Sequence, residues 1–193
     1  MNHADLLRSA DAWFARVLTE HPEKMQCRRG CFDCCLGLFD ITIADVALLR
    51  EGLAKLDEAT RRAVEERARA VLKKLPDLGS SLEELDDDEI DALSDSVGPE
   101  RCVCLGDDGA CLVYEHRPML CRLDGAPIVD VSGRVVLDEG CFKNSITTRD
   151  VPHLDYEKLQ KEERKILRKL YKAGFTGVGE AYATMFIPQA VAR

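Results

Sequence analysis

The sequence lacks any apolar run that approaches the ~18 residues of a membrane span. Residues 1–14 carry Asp5 and Asp11 and no apolar block of the kind that marks a secretory leader. Neither a membrane partner nor an oxidising destination is therefore expected, and the chain reads as cytoplasmic. Aromatic residues are few, at 6%, with one tryptophan. Cations gather only in short pieces such as Arg61-Arg62 and Lys73-Lys74, and the formal net charge is −8. A phosphate backbone would be repelled by this balance, so nucleic acid is not an expected partner. Several catalytic signatures are missing as well. Gly177 and Gly179 follow no strand, and Tyr182 stands where a dinucleotide fingerprint needs its third glycine. No serine sits in a nucleophile elbow. The Asp86-Asp87-Asp88 run lacks the glycine and terminal glutamate of a calcium loop, and reads as a solvated acidic helix face.

What is present is cysteine. The chain has 193 residues, 46% of them hydrophobic, which suits one domain over residues 1–193 with a core that needs no covalent staples. Nine cysteines therefore require another explanation. An odd number does not make a simple paired framework, and in a reducing compartment clustered thiols bind metal or do chemistry more often than they form disulfides.

The thiols fall in two loops, at about residues 25–40 and 101–141. The first holds Cys27, Cys31, Cys34 and Cys35; the second holds Cys102, Cys104, Cys111, Cys121 and Cys141. Thiolates two or three residues apart in a loop can turn toward one ion without strain, which is why metal sites recur at such spacings. Cys31, Cys34, Cys111 and Cys121 lead the candidate ligands, followed by Cys27, Cys35 and Cys104. Adjacent side chains diverge, so one of Cys34 and Cys35 serves a second metal or only lines the site. Cys102 and Cys141 read equally well as small buried apolar residues. A metal shared by the two loops would clip the first to the second. Structural zinc in small domains contributes about 10–16 kcal/mol, comparable to the whole stability of a domain.

The stretches CRRGCFDCC and CLGDDGACLVYEHRPMLCR resemble the YkgJ-like cysteine-cluster family, described as a zinc- or iron-chelating domain. The resemblance rests on Cys31, Cys34 and Cys35, then on Cys104, Cys111, Tyr114-Glu115, Arg117-Pro118, Cys121 and Arg122. The family's first group often reads C-x2-C-x2-C-C, whereas three residues separate Cys27 from Cys31 here. The resemblance implies metal binding over roughly residues 25–141. Flagellin lysine methyltransferases carry a similar cysteine pattern, which adds cluster-dependent methyl transfer to protein as a further activity to weigh.

Thiols in excess of four and irregular spacings favour an iron–sulfur cluster of the 4Fe-4S kind, or another iron centre, with a redox or catalytic role. The alternative is structural zinc in a module that binds a protein partner. Cys27-x3-Cys31-x2-Cys34 also has the spacing of the radical S-adenosylmethionine loop, but helices follow it where a β/α barrel would alternate strands. A redox pair at Cys31-Phe32-Asp33-Cys34 would need a βαβ setting that the pattern does not offer. Arg117 and Arg122 are placed to neutralise thiolate charge, or to pair with Glu115 or Asp124. His116, between charged residues, is expected to be exposed.

The fold class is mainly α, with a small β-hairpin and long cysteine-rich loops. Leu6, Ala10, Trp13, Phe14 and Val17 recur at helical spacing, and His21-Pro22 ends that helix. Thr42 and Asp45 suggest a capping box for a helix carrying Val46, Leu49, Leu53 and Leu56. A third helix runs from about residue 58 to 75, with Val64, Ala68, Val71 and Leu75 inward. Ser81 and Glu84 have capping-box spacing ahead of Leu85 and Leu93. Residues 128–131 and 134–137 read as a hairpin about Ser132-Gly133. The last helix covers about 155–172, with Leu159, Ile166, Leu167 and Leu170 on its apolar side, and Gly174 caps it.

Overall fold

The computed structural model describes residues 2–28, 30–76, 82, 85–174 and 184–192. In chain order its elements are α1 (His3–Glu20), β1 (Asp40–Thr42), α2 (Ile43–Ala54), α3 (Glu58–Leu72), α4 (Asp87–Val97), α5 (Leu120–Leu123), β2 (Ile128–Val129), β3 (Val135–Leu137), α6 (Tyr156–Lys172), β4 (Thr184–Phe186) and α7 (Ile187–Ala192). The expected mainly helical class is observed. Among the described residues, strand is confined to two antiparallel pairs, β1 with β4 and β2 with β3. No helix among them is long and apolar enough to cross a membrane. The chain clusters into two compact units, Met1–Cys34 with Met119–Ile166, and Cys35–Pro118 with Leu167–Arg193.

In the first unit α1 starts on a capping box. The Asn2 side chain accepts from Asp5 N–H, and the Asp5 carboxylate accepts from Asn2 N–H, satisfying two amides that the helix end leaves without partners. Leu6, Ala10, Trp13 and Val17 form the buried stripe that their spacing predicts. They pack with Met25, Leu123, Ile128, Val129, Val151 and Leu159, while Trp13 Nε1–H donates to Pro152 O at 2.6 Å. The hairpin is shorter than expected: β2 spans two residues, β3 three, and the turn closes with Asp130 N–H on Arg134 O and Gly133 N–H on Asp130 O. Asp130, which no motif singles out, is almost wholly buried. Its carboxylate accepts from Ser132 N at 2.8 Å, Tyr156 N at 2.9 Å and Glu157 N at 3.2 Å, so it caps α6 from a distant position. The Ser132 hydroxyl first, then the amides of Ser132, Glu157 and Tyr156, hold its carboxyl far below the usual carboxylate range.

In the second unit α7 packs on α3 and α2. Strands β1 and β4 pair Asp40 with Phe186, Ile41 with Met185 and Thr42 with Thr184. Neither β4 nor α7 was anticipated; each is too short to show a period. Phe186 is fully buried, and the Gln189 side chain accepts its N–H at 2.9 Å. Val46, Leu49, Leu53, Val64, Ala68 and Val71 are buried as expected. Thr42 does occupy the N-cap of α2, but its side chain makes no capping bond. The extended backbone of β1 runs straight into the helix there, and β pairing fixes the entry. The expected Ser81–Glu84 box falls outside the described residues. The box that starts α4 is instead Asp86 with Glu89. Gly174 adopts φ +78° just past α6, as a C-terminal cap requires.

Truncating Phe186→Ala should lower unfolding free energy by about 3–5 kcal/mol, measured by urea denaturation, since a large side chain with no exposure leaves a cavity. Asp130 gives a pH signature. Its folded carboxyl stays ionised below its ordinary value near ~3.9, so below about pH 4 the unfolded chain takes up a proton that the folded chain refuses. Stability should fall with pH in that range, and Asp130→Asn should flatten the acid limb of a plot of melting temperature against pH.

Candidate metal centre

None of the nine cysteines is in a disulfide; Cys104 is buried and the other eight are half-buried. Cys27, Cys31, Cys34, Cys121 and Cys141 belong to the first unit, and Cys35, Cys102, Cys104 and Cys111 to the second.

The first group forms where the chain leaves α1 and runs beside residues 141–150. Lys24 Nζ pairs with Asp150 at 2.5 Å, Ser145 N–H donates to Lys24 O at 3.0 Å, and Gln26 N–H donates to Asn144 Oδ1 at 2.7 Å. These bonds bring Cys27 under Asn144, whose Nδ2 lies 3.4 Å from the sulfur. Gly125, at φ +111°, lies beside it. A Cβ there would stand 3.4 Å from Cys27 Sγ and 3.5 Å from the Phe14 ring. Cys31, Cys34 and Cys141 are close enough for their charges to act on Cys27. Burial first, then these neighbours, push its thiol up, while the Asn144 bond opposes the shift. Cys31 Sγ lies 3.4 Å from Asp33 Oδ2, and Lys143 Nζ pairs with the same carboxylate. Asp33 chiefly, then Cys31 and Cys141, raise the Lys143 ammonium. A cation therefore stands where thiolate charge would develop. Asp33–Cys35 forms a single 3-10 turn.

The second group is built on backbone pairing. Cys102 N–H donates to Cys35 O at 2.8 Å, Gly37 N–H donates to Glu100 O at 2.7 Å, and Leu36 bridges Arg101 antiparallel. The tail of the first cysteine loop thus already lies against the start of the second through main-chain bonds. A tight reversal follows, with Leu105 opposite Cys111, Gly106 N–H on Ala110 O and Leu112 N–H on Cys104 O. Arg67, from α3, reaches in with Nε and Nη2 to Val103 O at 3.1 and 2.8 Å, clamping the peptide between Cys102 and Cys104. The Cys104 bond first, and Arg67 as a lesser cause, bring the Cys102 thiol down. Burial pushes Cys111 up against a lowering contribution from Arg117.

The neighbouring side chains adjust some expectations. Arg117 acts on Cys111 and stacks on the Tyr114 ring at 3.8 Å. Arg122 is buried and pairs with Asp11 at 2.5 Å, a partner 111 positions away that local spacing does not suggest. His116, expected to be exposed, is half-buried against α2: its Cβ would lie 2.7 Å from a Cβ on Gly52, and its Nε2 lies 2.8 Å from Lys55 Nζ. A glycine on α2 makes room for the ring.

Of the seven candidate ligands, Cys31 and Cys34 lie within electrostatic reach of Cys27, as does Cys141. Cys104 and Cys111 lie in the reversal, with Cys35 paired to Cys102. Cys121 sits on the single turn of α5. Cys141, which reads from the sequence equally well as a small buried apolar residue, is half-buried and lies within electrostatic reach of Cys27. Among the described residues no three His, Cys, Asp or Glu side chains stand ready to hold a metal ion. The donor chemistry nonetheless fits a soft or borderline metal: grouped half-buried thiols, with an amide N–H and an ammonium beside the sulfurs.

A mainly helical chain whose thiols gather on short irregular segments defines a cysteine-rich metal-chelating protein. Residues 26–141 match the model of the CxxCxxCC family, described as "Putative zinc- or iron-chelating domain", and the chain belongs to that family. No curated protein and no solved structure matches the chain.

Gly125→Ala should cost about 1–2 kcal/mol, because an L side chain is strained at this φ. The same variant should leave Cys27 more reactive to a small alkylating agent. Chemical denaturation and mass-resolved alkylation would check the pair of outcomes.

Proposed function

We propose that the chain holds an iron centre of the iron–sulfur type in its first unit, bound by the thiolates of Cys27, Cys31 and Cys34 with Cys141. The carrying observation is the gathering of these four thiols about Cys27, flanked by the Asn144 amide and the Lys143 ammonium. Donors beside cluster sulfurs set reduction potential, so such surroundings suit a centre that changes charge. When bound, the cluster would supply electron transfer or Lewis acidity. The chain's own residues would exclude part of the solvent and offset thiolate charge. Cys121, of the same unit, remains a candidate ligand.

A different observation favours zinc for the second group. Cys104 and Cys111 flank a tight main-chain reversal, and Cys35 and Cys102 meet through a backbone bond beside it. Closed thiolate sites of structural zinc are commonly built on such turns. This second reading makes Cys35, Cys102, Cys104 and Cys111 a folding clamp with no redox part.

The test is purification without oxygen, followed by iron, zinc and acid-labile sulfide assays with a visible spectrum. Iron with sulfide and broad visible absorption is expected, and Cys27→Ser or Cys141→Ser should abolish the colour while helical circular dichroism persists. Colourless protein carrying zinc and no sulfide would sink the iron reading.

A further inference from the structure

The side-chain amide of Asn144 makes three contacts. Its Oδ1 accepts from Gln26 N–H at 2.7 Å, while its Nδ2 donates to Gly125 O at 2.6 Å and to Cys27 Sγ at 3.4 Å. The first two fix which way the amide faces. A backbone N–H can only donate and a carbonyl oxygen can only accept, so oxygen must face Gln26 and nitrogen must face Gly125. The second hydrogen of Nδ2 is then left for the sulfur, and main-chain groups alone have aimed it.

The backbone around Asn144 is held as firmly. Its own N–H donates to Cys141 O at 2.8 Å, Ser145 N–H donates to Lys24 O, and Cys141 N–H donates to Gly125 O at 3.2 Å. The residue is half-buried. It also lies three positions beyond residues 26–141, the stretch that the family model matches. We infer that Asn144 is a positioning residue of the first thiol group: its N–H fixes the direction of the Cys27 sulfur and draws electron density from it once that sulfur binds a metal. The inference rests on the reading that these thiols bind metal.

Hydrogen bonds of this kind orient the ligand and tune it, and removing an outer partner typically costs 10–100-fold in metal affinity. An N–H on a thiolate also stabilises the sulfur lone pairs, so its loss moves thiolate-to-metal charge transfer to lower energy. A residue that only holds the loop would leave that band where it is.

The experiment uses the full chain, wild type and Asn144→Ala, titrated anaerobically with Zn(II) against a chromophoric chelator and with Co(II) as a spectroscopic probe. The alanine variant should bind its weakened equivalent of zinc about 10–100-fold less tightly. Its thiolate-to-cobalt band should move to longer wavelength. The thiols of the second unit, unchanged in both chains, serve as internal reference. If Asn144→Ala fails to fold, Asn144→Asp retains the oxygen that Gln26 uses and removes the donor, and its cobalt band should shift in the same direction. Affinity within twofold of wild type and an unmoved band would overturn the role of Asn144 and leave metal binding intact. A wild-type chain that takes up neither ion would overturn the metal reading and this inference together.

Discussion

The carbonyl oxygen of Gly125 is the acceptor on which the first thiol group depends. It takes the Asn144 amide at 2.6 Å and the Cys141 N–H at 3.2 Å, joining the residues that flank two of the four gathered thiols. Its surroundings permit little else. Gly125 needs its positive φ to present that oxygen, and a Cβ on Gly140 would come within 2.8 Å of it. Two glycines and one amide thus settle where Cys27 and Cys141 lie, before any metal is considered.

Cys31, Cys34 and Cys141 lie within electrostatic reach of Cys27, yet among the described residues no three side chains stand ready as metal ligands. Burial chiefly, and for Cys27 also the nearby Cys31, Cys34 and Cys141, favours the neutral thiol at Cys27 and Cys111. A cation that displaces those protons removes the repulsion and gives the sulfurs a reason to turn inward. Metal affinity then depends on pH through the protons expelled.

The longer helices were legible because apolar periodicity and end signals agree on them: Leu6 to Val17 against His21-Pro22, and Leu159 to Leu167 against Gly174. The cysteine loops were legible as a metal-chelating pattern by residue type and spacing. What the sequence hides is contact across distance. Asp130 caps a helix 26 positions away, Arg122 finds Asp11, and Arg67 finds Val103. Each is a polar group whose partner is chosen by tertiary packing and not by any local pattern. Thr42 makes the converse point: its spacing to Asp45 suggests a side-chain cap, and a strand entering the helix leaves that cap unused. Cys141 is a further case, since the chain returns it to the neighbourhood of Cys27 from 114 positions away.

The grip of Arg67 on Val103 has a mechanical consequence. Two guanidinium nitrogens on one carbonyl resist rotation as well as separation, so the peptide linking Cys102 to Cys104 cannot pivot without moving the arginine. The segment that carries both thiols is therefore anchored to α3 through this one side chain.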